Sequence, residues 1–134
     1  MDEKDKNLIS RRLAKAKIEL AAAKALLAAN FYGVAAARAY YAIFNATTAA
    51  LVTVSIERSH KHSAVQAALN QYLVKPGLIE PEYAAIFATV RKRREDSDYG
   101  EEVSMTKEEA EQAVVNAEKF VARVEAYLAS VGGI

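Results

Sequence analysis

The residue types able to do chemistry cluster at three places in this sequence. Arg91-Lys92-Arg93-Arg94-Glu95-Asp96 passes from positive to negative charge, and Asp98 and Tyr99 follow within three residues. On a helix, the i, i+3 spacing sets Arg91 and Arg94 on neighbouring positions of one face. Guanidinium groups form paired hydrogen bonds to phosphate oxygens. Asp98 and Tyr99 fold back beside them to accept and donate hydrogen bonds, a combination that suits a phosphodiester or a nucleotide. A plainer account stands next to this one: cations are stabilised at a helix C-terminus, so the basic run also matches the helix dipole.

The second place is a stretch of otherwise apolar sequence. Arg38, Tyr41 and Asn45 fall at i, i+3 and i+7 and therefore share one helical face. An isolated charge is very costly to bury, so Arg38 requires a carboxylate, an interface or an incoming anion. Either it pairs with an acid and staples two helices, or it lines a polar cleft and holds phosphate together with Tyr41 and Asn45. Tyr40 and Tyr41 read as core aromatics with a wet hydroxyl. The third place is the pair His60 and His62, two residues apart before a helix. The sequence has no other histidine and no cysteine, so no metal site is expected from them. An imidazole titrates near neutrality, which leaves a capping role or general acid/base work for His62.

Helices must position these groups. Ile9, Leu13, Ala16, Leu20, Ala23 and Leu27 recur at alternating steps of four and three, which predicts a first helix from Asp5 to Ala29. Gly33 is suited to the left-handed position that ends it. A second helix from Val34 to Val54 is apolar around most of its circumference and belongs at the centre. Ser55 to Lys61 is a polar loop. A third helix, Ser63 to Val74, stops at Lys75-Pro76-Gly77. The fourth begins at Pro81, with Tyr83, Ile86, Phe87 and Val90 on its core face, and ends in the charged run; Asp98 to Ser104 is expected as a loop. Thr106 and Glu109 have capping-box spacing before a fifth helix that carries Ala110, Val114, Ala117, Val121, Val124 and Leu128. The fold class is all-α, an antiparallel up-and-down bundle of about five helices.

The 134 residues suffice for one domain, 1–134, with a core large enough to fold without metal or disulfide. Net charge is +1, which gives no bulk attraction for nucleic acid. The charge is unevenly spread: residues 1–30 hold 7 basic and 4 acidic side chains, residues 101–134 hold 3 and 7. The terminal helices are therefore expected side by side. The stretch Ala39 to Ile56 is interrupted by Asn45, Thr47, Thr48, Thr53 and Ser55 and reads as a buried helix, with no membrane span. The charged N-terminus lacks the apolar run of a signal peptide, and a cytoplasmic location is expected.

With these residues in view, the chain resembles the HEPN domain family, specifically its small stand-alone prokaryotic group related to partners of minimal nucleotidyltransferases. The resemblance runs from Leu13 to Leu128. It is carried by Ala37-Arg38-Ala39-Tyr40-Tyr41-Ala42-Ile43-Phe44-Asn45, by His62-Ser63-Ala64-Val65, by Tyr72-Leu73-Val74-Lys75-Pro76-Gly77 and by Arg94-Glu95-Asp96-Ser97-Asp98-Tyr99. It implies a helical homodimer with a composite cleft, a nucleotidyltransferase partner protein in a toxin–antitoxin pair, and RNA or nucleotide as ligand, with no cofactor. Many members are metal-independent endoribonucleases whose motif is an arginine and a histidine separated by four to six residues. Arg94 matches the arginine, while Tyr99, Gly100 and Glu101 stand where the histidine falls. The expected catalytic set is Arg94, His62 and Asp98, with Arg38, Tyr41, Asn45 and Arg91 binding substrate and Tyr99 as a candidate for modification. The alternative is a non-catalytic nucleotide- or protein-binding helical module.

Overall fold

The computed structural model describes residues 1–57, 59, 61–99 and 105–134, apart from the side chains of residues 97–99. The expectations for His60 and for the side chains of Asp98 and Tyr99 lie outside the described residues. So does most of the 98–104 segment.

Five α-helices form the bundle: α1 (Glu3–Ala28), α2 (Tyr32–Val52), α3 (His62–Ala68), α4 (Pro81–Tyr99) and α5 (Lys107–Ser130). Helix α1 starts two residues before the expected Asp5 because Asp2 caps it, its carboxylate accepting from the Asp5 N–H at 2.8 Å. Its buried seam is Ile9, Leu13, Ala16, Leu20 and Ala23, as the four-three spacing requires. Gly33 does not end α1. Asn30 takes the left-handed conformation instead (φ 68°), and Gly33 lies inside α2. Asparagine tolerates that conformation because its short amide bonds locally.

Helix α2 packs against each of the other four helices. Fifteen of its 21 residues are buried, and the alanines among them have small side chains that let the neighbouring helices close in. Thr47 and Thr48 pose no penalty inside it, since their hydroxyls donate to the carbonyls of Ile43 and Asn45.

The third predicted helix is observed in two parts. Helix α3 gives way at Leu69 to a π-helical turn, Leu69–Val74, that keeps Leu69 and Leu73 buried. It stops at Lys75-Pro76-Gly77, and Gly77 supplies the positive φ (84°) that lets the Leu78 N–H return to the Leu73 carbonyl at 2.9 Å. Helix α4 begins at Pro81 as expected but runs on to Tyr99, so Asp98 and Tyr99 belong to helical backbone and not to a loop. No glycine or proline interrupts residues 82–99, and the Arg91–Glu95 ion pair at i, i+4 supports the last turns. Thr106 and Glu109 form the expected capping box of α5.

Helices α1 and α5 lie antiparallel, bridged by Lys17–Glu125 at 2.8 Å and Lys24–Glu118 at 3.1 Å. The opposite charges of the chain ends do meet. Both pairs are exposed, which limits each to about 1 kcal/mol at most. Stability comes from the interior, where Tyr40, Ile43, Leu51, Phe87, Phe120 and Leu128 are buried in one apolar cluster.

Candidate functional site

The polar face of α2 opens on a cavity of about 330 Å³ between α1, α2 and the start of α3. Lys15 and Glu19 line it from α1, Arg38, Tyr41, Phe44 and Asn45 from α2, and His62 from α3. Helical spacing brings the α2 groups together, and the polar loop before α3 returns the chain so that His62 lies against the middle of α2.

Arg38 combines the two alternatives open to it, since it is only partly buried, pairs with a carboxylate and lines the cavity. Its Nη1 donates to the Glu19 carboxylate at 3.1 Å, and its guanidinium lies 4.9 Å from the Tyr41 ring centre. The arginine side chain is 39% exposed and Glu19 is 16% exposed, so the pair borders the cavity with the cation on its open side. Asn45 is only 2% exposed. Its Nδ2 donates to the Tyr41 carbonyl at 2.8 Å, while its buried Oδ1 has no hydrogen-bond partner among the described residues.

His62 is enclosed by aromatic rings. The centres of Phe44, Tyr40 and Tyr41 lie 4.9, 5.3 and 6.1 Å from its own. Its Nδ1 is 2.5 Å from the Tyr40 hydroxyl. Burial lowers the imidazole pKa below its usual 6.5, and the cations Arg94 and Arg91 push it in the same direction against a smaller opposing effect of Glu95. The ring is therefore neutral near pH 7. Burial also pushes the Tyr40 phenol well above its ordinary value, so it keeps its proton.

The basic run of α4 divides by direction. Arg94 turns toward α2, its guanidinium 5.4 Å from the Tyr41 ring centre and 5.7 Å from that of Tyr40. Arg91 donates to Glu95 at 3.0 Å and, from Nη1, to the Gln66 side chain at 2.8 Å. Arg93 points to the other side and pairs with Glu109 of the α5 cap. Lys92 is exposed. Because α4 continues to Tyr99, its last turn holds no basic residue, so dipole matching does not account for the run. Asp98 lies one helical turn beyond Arg94 along the α4 backbone.

Five of the expected residues, Arg38, Tyr41, Asn45, His62 and Arg94, come together in this way, with Arg91 at the edge. Lys15 and Glu19 join them without having been singled out in the sequence, together with Tyr40, which was read as a core aromatic, and Glu95, which was read only as part of the charged run. Glu95 was available from its i, i+4 spacing to Arg91. The others belong to the site through tertiary packing alone. Among the described residues no group of three or more His, Cys, Asp or Glu could hold a metal ion, and no helix is long and apolar enough to cross a membrane.

Fold and site together define an all-helical protein with a cationic, aromatic cleft beside its central helix. Comparison with known proteins assigns the class. The HEPN domain profile matches residues 9–127, and the chain belongs to that family. A Methanocaldococcus jannaschii protein named "Putative toxin MJ0605" is 37% identical over 116 residues, covering 87% of this chain and 85% of its own. A Thermotoga maritima protein named "UPF0332 protein" is 34% identical over 125 residues and 93% of each chain. The crystal structure of TT1696 from Thermus thermophilus shares the fold, with a TM-score of 0.72 over 90% of this chain and 98% of its own at 20% identity.

Proposed function

We propose that this chain is a toxin-type HEPN protein that binds the phosphodiester backbone of RNA at the cavity between α1, α2 and α3, with Arg94 of α4 beside it against Tyr40 and Tyr41, and cleaves it without a metal ion. The observation that carries this reading is the convergence of Arg94 and His62, from two separate helices, on the rings of Tyr40 and Tyr41. A guanidinium held by stacking has little freedom left to lose on binding an anion, and in a partly dry site its charge is weakly screened. Arg94 is then the cation that meets the charge developing on the phosphoryl oxygens as the ribose 2′-hydroxyl gives its proton to water and attacks phosphorus, and the 5′-oxygen departs and takes a proton from water. His62 stands beside it, and Arg38, Arg91, Tyr41 and Asn45 line the approach of the strand. Asp98 and Tyr99, at the end of the same helix as Arg94, complete the set, with Tyr99 as the residue open to modification by a partner.

The working unit in this reading is a cytoplasmic homodimer with a composite cleft, paired with a nucleotidyltransferase as its antitoxin. Exposed apolar side chains on the α1–α2 hairpin, Ile18, Phe31 and Val34, supply surface for the second copy. The name borne by the M. jannaschii relative supports the toxin assignment.

Incubation of the purified protein with end-labelled RNA in the presence of a chelator tests the activity. Cleavage is expected, and Arg94→Ala should slow it by about 10²–10³-fold, the usual effect of removing one group that stabilises a developing oxyanion. Equal products from wild type and Arg94→Ala would exclude the mechanism. RNA bound but left intact by the wild type, with binding lost in Arg94→Ala, would instead identify a non-catalytic binding module.

A further inference from the structure

Tyr40 lies behind the cleft, fully buried, and among the described residues its hydroxyl has one hydrogen-bond partner, the Nδ1 of His62. A neutral imidazole carries a single N–H, and its proton can sit on either of the two nitrogens. Were the hydrogen on Nδ1, that N–H would donate to the phenolic oxygen. The phenolic O–H would then be left buried with no acceptor, at the cost of its full desolvation. Were the hydrogen on Nε2, the phenol would donate to the bare Nδ1, and both groups would be satisfied. Loss of the phenolic proton offers no way out, because burial holds it on the oxygen. Only the second arrangement leaves nothing unpaired.

The two ring nitrogens lie on opposite sides of the imidazole. With Nδ1 turned to the buried phenol, Nε2 faces away from Tyr40, and His62 is itself part of the cavity wall beside Tyr41 and Asn45. We infer that Tyr40 is a positioning residue: its hydroxyl donates to Nδ1, holds His62 as the Nε2–H tautomer and so offers the cleft an N–H donor for an anionic oxygen in place of a basic lone pair. His62 and Arg94 then act as a pair of donors on one phosphate. A switch of His62 to a proton acceptor at Nε2 requires the Tyr40 bond to reverse, which leaves the buried phenolic O–H without an acceptor. The choice of a phosphate oxygen as acceptor rests on the RNA reading above, whereas the tautomer does not.

Long-range ¹H–¹⁵N correlation spectra of the full-length ¹⁵N-labelled protein at pH 7.5 read the tautomer directly. His60→Gln removes the other imidazole and assigns His62. The wild type is expected to show an unprotonated Nδ1 and a protonated Nε2. In Tyr40→Phe, which removes only the hydroxyl, the two nitrogen shifts should move toward each other as both tautomers become populated, while the helical circular dichroism is unchanged. A hydrogen on Nδ1 in the wild type overturns the inference, as does an unaltered tautomer in folded Tyr40→Phe. The wild-type spectrum decides the first point even if that variant does not fold. Addition of an oligonucleotide blocked against cleavage by 2′-deoxy substitution should shift the Nε2 resonance. The expected tautomer with no such shift would defeat the RNA reading and leave the role of Tyr40 standing.

Discussion

His62 packs against three aromatic rings, and burial together with Arg94 and Arg91 of α4 disfavours a charged imidazole against a smaller opposing effect of Glu95. The consequence for stability follows from linkage. With its pKa lowered by folding, His62 binds fewer protons in the folded chain than in the unfolded one, so stability increases with pH. The contribution is intact above the unfolded value of about 6.5 and is lost as the pH falls below it. The melting temperature should therefore drop between pH 7.5 and 5.5, and His62→Gln should reduce that drop; differential scanning fluorimetry of both proteins over this range checks it. Identical slopes would count against a partly buried, neutral ring. Part of this was legible beforehand. The need of Arg38 for a carboxylate follows from the cost of burying charge on an apolar helix, and Glu19 meets it. The bond from Tyr40 to His62 was not legible, because helical periodicity gives a side chain its face but not its partner across a loop.

Where helices begin and end decides which groups reach the cleft. Pro81, the Thr106–Glu109 box and the Pro76-Gly77 break are short-range signals set by local sterics and local hydrogen bonds, and each lies where the sequence puts it. The far end of α4 differs, since charge alone does not stop a helix. The turn from Arg91 to Glu95 is closed by an ion pair, and the helix carries on to Tyr99. The π-helical turn was equally hidden, because Leu69 and Leu73 fit an α-helical seam as well as the wider one. Arg93 of α4 pairs with Glu109 of the α5 cap, so Glu109 serves both the capping box and an ion pair between the two helices. Thr106→Ala is expected to cost about 1 kcal/mol, the usual loss for an N-cap hydroxyl, and to be largely restored by Thr106→Asp, whose carboxylate accepts the same N–H. Urea denaturation midpoints of the three proteins measure it. A loss that Asp does not restore would mean that the Thr106 methyl group, and not its cap, matters.

At the scale of the whole molecule, the burial of α2 accounts for where polar groups can go. A central helix ringed by neighbours leaves few openings, and Arg38, Tyr41 and Asn45 occupy one of them beside the short helix α3 that carries His62. Among the described residues the same packing leaves Ile18, which is 68% exposed, Phe31 and Val34 of the α1–α2 hairpin in contact with water. Water contact with such side chains is unfavourable by about 25 cal/mol per Å² of apolar surface, and a second copy of the chain can remove it. Sedimentation equilibrium should accordingly give about twice the 14.6 kDa chain mass. Ile18→Lys combined with Val34→Glu places charge where the second copy would pack, and the protein should then sediment at the single-chain mass with unchanged helical circular dichroism. RNA cleavage should fall along with it, because a composite cleft cannot be built from one subunit. A dimer that survives both substitutions would move the interface to another face of the bundle. A monomeric variant that still cleaves RNA at the wild-type rate would show that Arg94 and His62 of one chain suffice.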